Sequence, residues 1–336
     1  MVKVSTPVRD IKLLVLTMPG FGLETLRRLH LDPRWPASSV VVGMIGRRPG
    51  WPRWLAARAR LLWRDLRHPR AELAEGALAA MQARRWLASR RYECLWLERD
   101  EDVRRARAEF APDLTFTITS RVIFTERTVN DAGGEWLNVH PGLLPRYAGA
   151  SPVPYMFLHG AAGCTIHRMT AGIDAGPVVD IARIDGDLGP DGGTLLYELL
   201  PRLAAERIVD VLQRWRDGTL ESQSQDTSLL QHCTSTRLRR DRQLDWSWEA
   251  PALARWVHAL MPYAPAYFID RSGRHREVRG AAAHAGPVAG QPGEVMEKRG
   301  HRLRVACRSG SVWLECCARP NLHIGDTLAG ASSLRI

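Results

Sequence analysis

A chain of 336 residues, 45% hydrophobic and 25% charged, carries enough apolar mass for a real core and suggests roughly two domains. Its 47 Lys+Arg outnumber 36 Asp+Glu for a net charge of +11, a surface that attracts anions without choosing among them. The six cysteines form no C-x-x-C pair, no run of about 20 apolar residues is present to span a bilayer, and the N-terminus lacks the apolar stretch of a signal peptide. These features lead us to expect a soluble, cytoplasmic protein with reduced thiols and no metal site.

In chain order, the apolar run at 11–17 ends in Pro19-Gly20 and reads as a buried parallel strand turning into a helix at about 22–30. A second run at 40–45 follows, then helices over about 52–90, dense in Arg and Ala. Strands at 92–97 and 114–118 flank a charged helix at 100–110, and a run at 136–139 leads into Pro141-Gly142. This alternation predicts an α/β domain on a mostly parallel sheet, with ligands at the carboxyl ends of its strands. Strands at 163–170 and 177–184 and a helix at about 194–216 come next. The stretch 219–240 turns polar and is expected to be a linker, and the short β runs beyond it, such as 301–307 and 311–315, fit a small β-barrel. We therefore expect domains at 1–218 and 241–332 joined by a linker at 219–240. A dinucleotide fold is disfavoured, since Gly20 and Gly22 lack the third glycine of G-x-G-x-x-G and Thr25 stands in its place.

Two stretches carry chemistry. The first is Leu137-Asn138-Val139-His140-Pro141-Gly142-Leu143-Leu144-Pro145-Arg146-Tyr147-Ala148-Gly149. The second is Thr165-Ile166-His167-Arg168-Met169-Thr170-Ala171-Gly172-Ile173-Asp174-Ala175-Gly176-Pro177. Asn138 and His140 are two apart on an extended segment, so their side chains share a face. Asp174, in a Gly-rich turn, is placed to approach it. Singly, such a histidine is hydrogen-bonded filler and such an aspartate a turn former. Together they make an amide donor, a titratable base and an orienting anion, the minimum for acyl transfer.

Both stretches resemble the signature of the folate-dependent formyltransferases, roughly N-x-H-P-S-L-L-P-x-x-x-G followed by a G-x-D-x-G-P turn. The resemblance covers most of the first 215 residues. The polar stretch, the terminal β region and Asp245-Trp246-Ser247 are similar to the layout of methionyl-tRNA formyltransferases. It implies a Rossmann-like formyltransferase catalytic domain followed by a smaller, OB-like C-terminal β-barrel domain. It further implies catalysis by Asn138, His140 and Asp174, with 10-formyltetrahydrofolate as co-substrate and no metal. Asn138 and a protonated His140 would supply donors to the developing oxyanion, each worth about 10²–10³ in rate. Asp174 would orient the ring and, with His140 or a water, shuttle protons. The segment Ser120, Arg121, Val122 and Ile123, with Phe124, resembles the loop that wraps the pterin ring. Thr170, Gly172 and Gly176 belong to the turn that would close its other side. His167, Arg146 and Tyr147 are secondary or acceptor-side candidates, a core-edge histidine being the other reading of His167. Two departures stand out: Gly142 where the pattern has Ser, and Ala148 where Arg is common before Gly149.

The resemblance leaves the acceptor open. Arginines and tryptophans alternate over 46–70, a composition suited to nucleic acid. The same residues, with Trp54, Leu55, Leu61, Leu62 and Leu66 at helical spacing, also read as an amphipathic helix with its arginines in solvent. A small-molecule amine, such as an amino sugar or an amino-acid side chain, is the expected acceptor. Initiator tRNA is the alternative, and a formyltetrahydrofolate hydrolase a further one. A catalytically dead RNA-binding module conflicts with the intact Asn138, His140 and Asp174 set.

Overall fold

The computed structural model describes residues 11–46, 77–131, 133–261, 263–284, 286 and 290–331. The Arg/Trp segment at 46–70 lies outside them from residue 47 onward, as do 1–10 and 332–336.

The first sheet starts with β1 (Leu13–Thr17), β2 (Val40–Ile45), β3 (Glu93–Leu97), β4 (Leu114–Ile118) and β5 (Glu135–His140), all parallel, and ends with β6 (Gly163–Arg168), antiparallel to β5, and β7 (Val178–Arg183), antiparallel to β6. Their order is β3-β2-β1-β4-β5-β6-β7. Every residue of β1 and β4 is buried; β1 accordingly reads as a nearly continuous apolar run, whereas β4 alternates apolar residues with the buried Thr115 and Thr117. Successive side chains go to opposite faces: Leu13 and Val15 join one core cluster, Leu14 and Leu16 the other. α1 (Phe21–Leu29) and α6 (Leu200–Arg216) pack together over the first face. α3 (Asp100–Phe110) covers the second with Val103 and Ala106. α2 (Ala77–Ser89), α4 (Glu126–Asn130) and α5 (Pro152–Leu158) complete this unit.

The second sheet is antiparallel, in the order β10-β11-β12-β9-β8, from β8 (Ala266–Ile269), β9 (His275–His284), β10 (Val295–Arg299), β11 (Arg302–Ala306) and β12 (Ser311–Cys316). A C-terminal segment bridges both edges, Thr327 to Glu294 and Ala329 to Ile269, and so curls the sheet towards closure. α7 (Ser235–Asp241) and α8 (Ala250–Ala259) join the two units. Asp241 is fully buried there: its carboxylate accepts from the Tyr155 hydroxyl of α5 at 2.9 Å, and its carbonyl accepts from the Trp256 indole of α8 at 2.8 Å. Among the described residues no helix is long and apolar enough to cross a membrane.

The polar stretch expected to be a linker is fastened to the first sheet. Gln223 exchanges both backbone hydrogen bonds with Val178 at the edge strand β7, and the Cys233 N–H donates to the Ala148 carbonyl at 2.7 Å. Its polarity reflects side chains facing solvent along a sheet edge whose backbone groups are paired.

Candidate active site

β5 delivers two of the three expected residues. Asn138 and His140 leave the same face of the strand, while Val139 between them points into the core. β6 lies antiparallel beside it with His167 directly opposite Asn138, so the register makes these two a cross-strand pair. The Asn138 amide nitrogen lies 2.9 Å from His167 Nε2 and 3.4 Å from Asp174 Oδ1. The β6–β7 connection folds back over this face and presents Asp174 with a left-handed backbone, φ 52°.

Two backbone carbonyls fix both imidazoles. His140 Nε2 lies 2.6 Å from the Tyr147 carbonyl and His167 Nδ1 2.9 Å from that of Arg168. A carbonyl only accepts, so each of these nitrogens carries a proton. The remaining nitrogens face one carboxylate, His140 Nδ1 at 3.6 Å from Asp174 Oδ2 and His167 Nε2 at 3.6 Å from Oδ1. The Gly149 N–H also donates to Oδ2 at 2.6 Å. Burial alone would push the Asp174 carboxyl up; the positive charge His140 bears when protonated, the neighbouring His167 ring and the Gly149 N–H outweigh it and hold it well below the ordinary carboxylate range. The result is a nearly dry anion held between two rings.

The expected donor-site residues occupy two loops. After β4, Thr119 has φ 74° and the Ser120 hydroxyl closes a turn on the Val122 N–H at 3.0 Å. Val122 packs against the second-face core and Arg121 is exposed. Ile123 is 73% exposed, whereas Phe124 turns inward against Trp136, centroids 4.9 Å apart. Phe124 therefore holds the loop down rather than covering a ligand, as the sequence reading had it. In the other loop the Thr170 hydroxyl donates to the Gly172 carbonyl at 3.3 Å and Ile173 is 52% exposed. Gly176 is there for close approach: a Cβ would lie 1.8 Å from the Arg168 carbonyl oxygen. Of the acceptor-side candidates, Tyr147 meets the cluster through its carbonyl while its hydroxyl pairs with His159 Nδ1 at 2.9 Å. Arg146 is exposed, its guanidinium 5.7 Å from the Tyr147 ring centre.

Sequence reasoning missed Gln225. Its side-chain amide donates to the carbonyls of Asp174 at 2.9 Å and Gly176 at 2.6 Å, clamping the turn that carries the carboxylate. A glutamine in a polar stretch bears no signal of such a task. Gly149 stood in the motif only as a glycine, and its N–H role depends on the loop 25 residues later.

A formyl transferase family model matches residues 67–188, and a formyl transferase C-terminal domain model matches residues 239–330. The methionyl-tRNA formyltransferase of Pseudomonas paraeruginosa is 30% identical over 236 residues, covering 69% of this chain and 73% of its own length. Those of Heliobacterium modesticaldum and Hahella chejuensis are 32% identical over 189 residues and 26% over 216. These two matches cover 53% and 63% of this chain, and 59% and 66% of the relatives' length, which is less than two thirds. Among solved structures, the sugar 3N-formyl transferase WlaRD, crystallised with dTDP and 5-N-formyl-THF, superimposes with a TM-score of 0.62 at 13% identity over 92% of this chain and 98% of its own. The Helicobacter canadensis N-formyltransferase, in complex with folinic acid and dTDP-3-aminofucose, gives 0.60 at 13% identity over 91% and 99%. At these identities the structures speak for the fold alone.

Proposed function

This chain belongs to the formyl transferase family, and from that premise we propose that it moves a formyl group from 10-formyltetrahydrofolate to the amine of a small acceptor, such as an amino sugar or an amino-acid side chain. The observation that carries this reading is the cluster of Asn138, His140, His167 and Asp174, a buried carboxylate held between two imidazoles at the carboxyl end of β5. We assign the chemistry to the unit spanning 1–218.

The folate suits the two loops beside the cluster. Ile123 and Ile173 each leave large apolar surface in solvent, one on either loop, which a flat ring can cover. Ser120, Arg121 and Val122 would hold it from the first loop, and Thr170, Gly172 and Gly176 from the second. When bound, it supplies the formyl carbon that the amine attacks.

The residues of this chain then have distinct tasks. The attacking nitrogen must lose a proton, and His140 Nδ1 and Asp174 form the nearest buried acceptor pair. The same pair returns the proton to the departing nitrogen. An oxyanion develops between these events. Asn138 serves it by releasing its longer contact, the 3.4 Å one to Asp174, and turning that N–H outward. His167 keeps the other amide hydrogen occupied and the side chain oriented.

The small-acceptor choice is supported by Ala148. It is fully buried beneath the 232–233 segment, so this position offers no cationic side chain to acceptor phosphates. One observation favours tRNA instead: the outer face of the second sheet collects Arg299, Arg302 and Arg304 around Trp313. Glu297 pairs with two of the three, which weakens that face as a phosphate track. The deciding assay offers formyl donor with nucleotide-linked amino sugars, hydroxyornithine-type amines or charged initiator tRNA. Product with a small amine upholds the reading. Product with tRNA alone, or formate released without any acceptor, overturns it in favour of the tRNA enzyme or the hydrolase.

A further inference from the structure

Gly142 lies two residues past His140 and is not among the glycines with positive φ, so its backbone conformation is open to any residue. What demands glycine is space. A Cβ at this position would lie 2.5 Å from His140 Nε2, 2.8 Å from Cδ2 of the same ring and 2.6 Å from the Tyr147 carbonyl oxygen. Those are the atoms of the 2.6 Å His140–Tyr147 hydrogen bond, so that bond runs through the volume a side chain would fill. The turn has little freedom to retreat. The buried Thr165 hydroxyl donates to the Gly142 carbonyl at 2.7 Å and accepts from the Leu144 N–H at 3.1 Å, fixing both ends. Any Cβ here would have to displace the imidazole.

We propose that Gly142 is a positioning residue that sets the tautomer of His140. The open space lets Nε2–H dock on the Tyr147 carbonyl, and this leaves Nδ1 as the one ring nitrogen that exchanges protons. The charged group facing the ring is Asp174, from the β6–β7 connection, whose other oxygen faces His167 of β6. Asp174 lies at Nδ1, so the tautomer set by Gly142 aims the exchanging nitrogen at the carboxylate. The family pattern has serine at this place, and its Cβ is what the present ring position excludes. The catalytic consequence rests on the formyl-transfer reading; the tautomer itself does not.

The test is ¹⁵N NMR of histidine-labelled protein, with the His140 signals assigned by their loss in His140→Gln. In the neutral ring of the unmodified chain, Nε2 is expected to show the shift of a protonated nitrogen and Nδ1 that of an unprotonated one. The opposite pattern overturns the proposal without reference to any activity. Gly142→Ala and Gly142→Ser, each checked for an intact fold by circular dichroism, are expected to lose that pattern. They should also lower kcat about 10²-fold, the cost of misplacing a reacting group by roughly 1 Å, with the donor KM little changed. A variant that keeps the fold, the tautomer and kcat overturns it too. An altered tautomer with unchanged turnover refutes the positioning role alone. Absence of formyl transfer in every form defeats the functional reading and leaves the spectral test to decide the tautomer.

Discussion

The side-chain amide of Gln225 reaches back across 51 residues to donate to the main-chain carbonyl of Asp174 at 2.9 Å, and the same nitrogen holds the Gly176 carbonyl at 2.6 Å. The stretch that leads to the second domain thereby maintains the left-handed turn bearing the carboxylate. Without these bonds nothing described at Gln225 opposes relaxation of the φ 52° backbone.

Gln225→Leu is therefore expected to reduce kcat by about 10-fold, the scale of two net hydrogen bonds at roughly 0.5–1.5 kcal/mol each, with a small change in thermal midpoint. Gln225→Glu should be worse, because an anion would face two carbonyl oxygens. Steady-state kinetics with a melting curve for each variant checks this. Wild-type kcat in both variants would remove Gln225 from the site.

The cluster itself is tested by truncation. His140→Ala and Asp174→Ala should each lose at least about 10² in turnover while still binding folate, measured by fluorescence titration. Asn138→Asp should lose more than its near-identical size suggests. It replaces the N–H that faces Asp174 with a second carboxylate, and it leaves His167 Nε2 without its donor. Turnover near wild type in His140→Ala would exclude it as the proton carrier.

Asp174 also makes a pH prediction. Its folded-state pKa is depressed below the ordinary 3.8, so its contribution to stability is present above that value and is lost as pH falls below it towards the folded pKa. Denaturation midpoints measured from pH 6 down to the lowest accessible pH should fall more steeply for the wild type than for Asp174→Asn below roughly pH 4. Parallel curves would show that the two rings and the Gly149 N–H do not favour the charged carboxylate over its unfolded state.

How much of this was legible in the sequence follows from how local each feature is. β1 and β2 stood out because a strand buried on both faces is apolar almost throughout. Asn138, His140 and Asp174 stood out because one strand period and one Gly-rich turn place them together. The tie between Gln225 and the Asp174 turn was illegible, since it joins positions 51 residues apart through main-chain carbonyls, which leave no trace in residue type. Phe124 was misread because a phenylalanine in a loop suits a ligand face and the underside of the loop equally; only the proximity of Trp136 separates them. The polar edge segment was read as a tether because solvent-facing side chains look alike whether or not the backbone beneath them is paired.

Salt separates the two acceptors. A tRNA held by the cationic face of the second sheet would release counterions from each neutralised phosphate, and contacts to about 6–10 phosphates would weaken binding by roughly 10³–10⁵ between 50 and 200 mM salt. A small amine has no such atmosphere, so its KM should change little over that range, apart from a modest effect if it carries a phosphate. Arg302 sharpens the contrast, being exposed on this face, while Glu297 already engages Arg299 and Arg304. Arg302→Glu should leave turnover of a small amine unchanged, because the residue sits on the second sheet, apart from the cluster on β5 and β6. The same substitution should weaken tRNA use and flatten its salt slope if tRNA is the acceptor. The buried Ala148 leads us to expect the salt-insensitive outcome. Steeply salt-dependent formylation of charged initiator tRNA that Arg302→Glu impairs would assign the acceptor to nucleic acid instead.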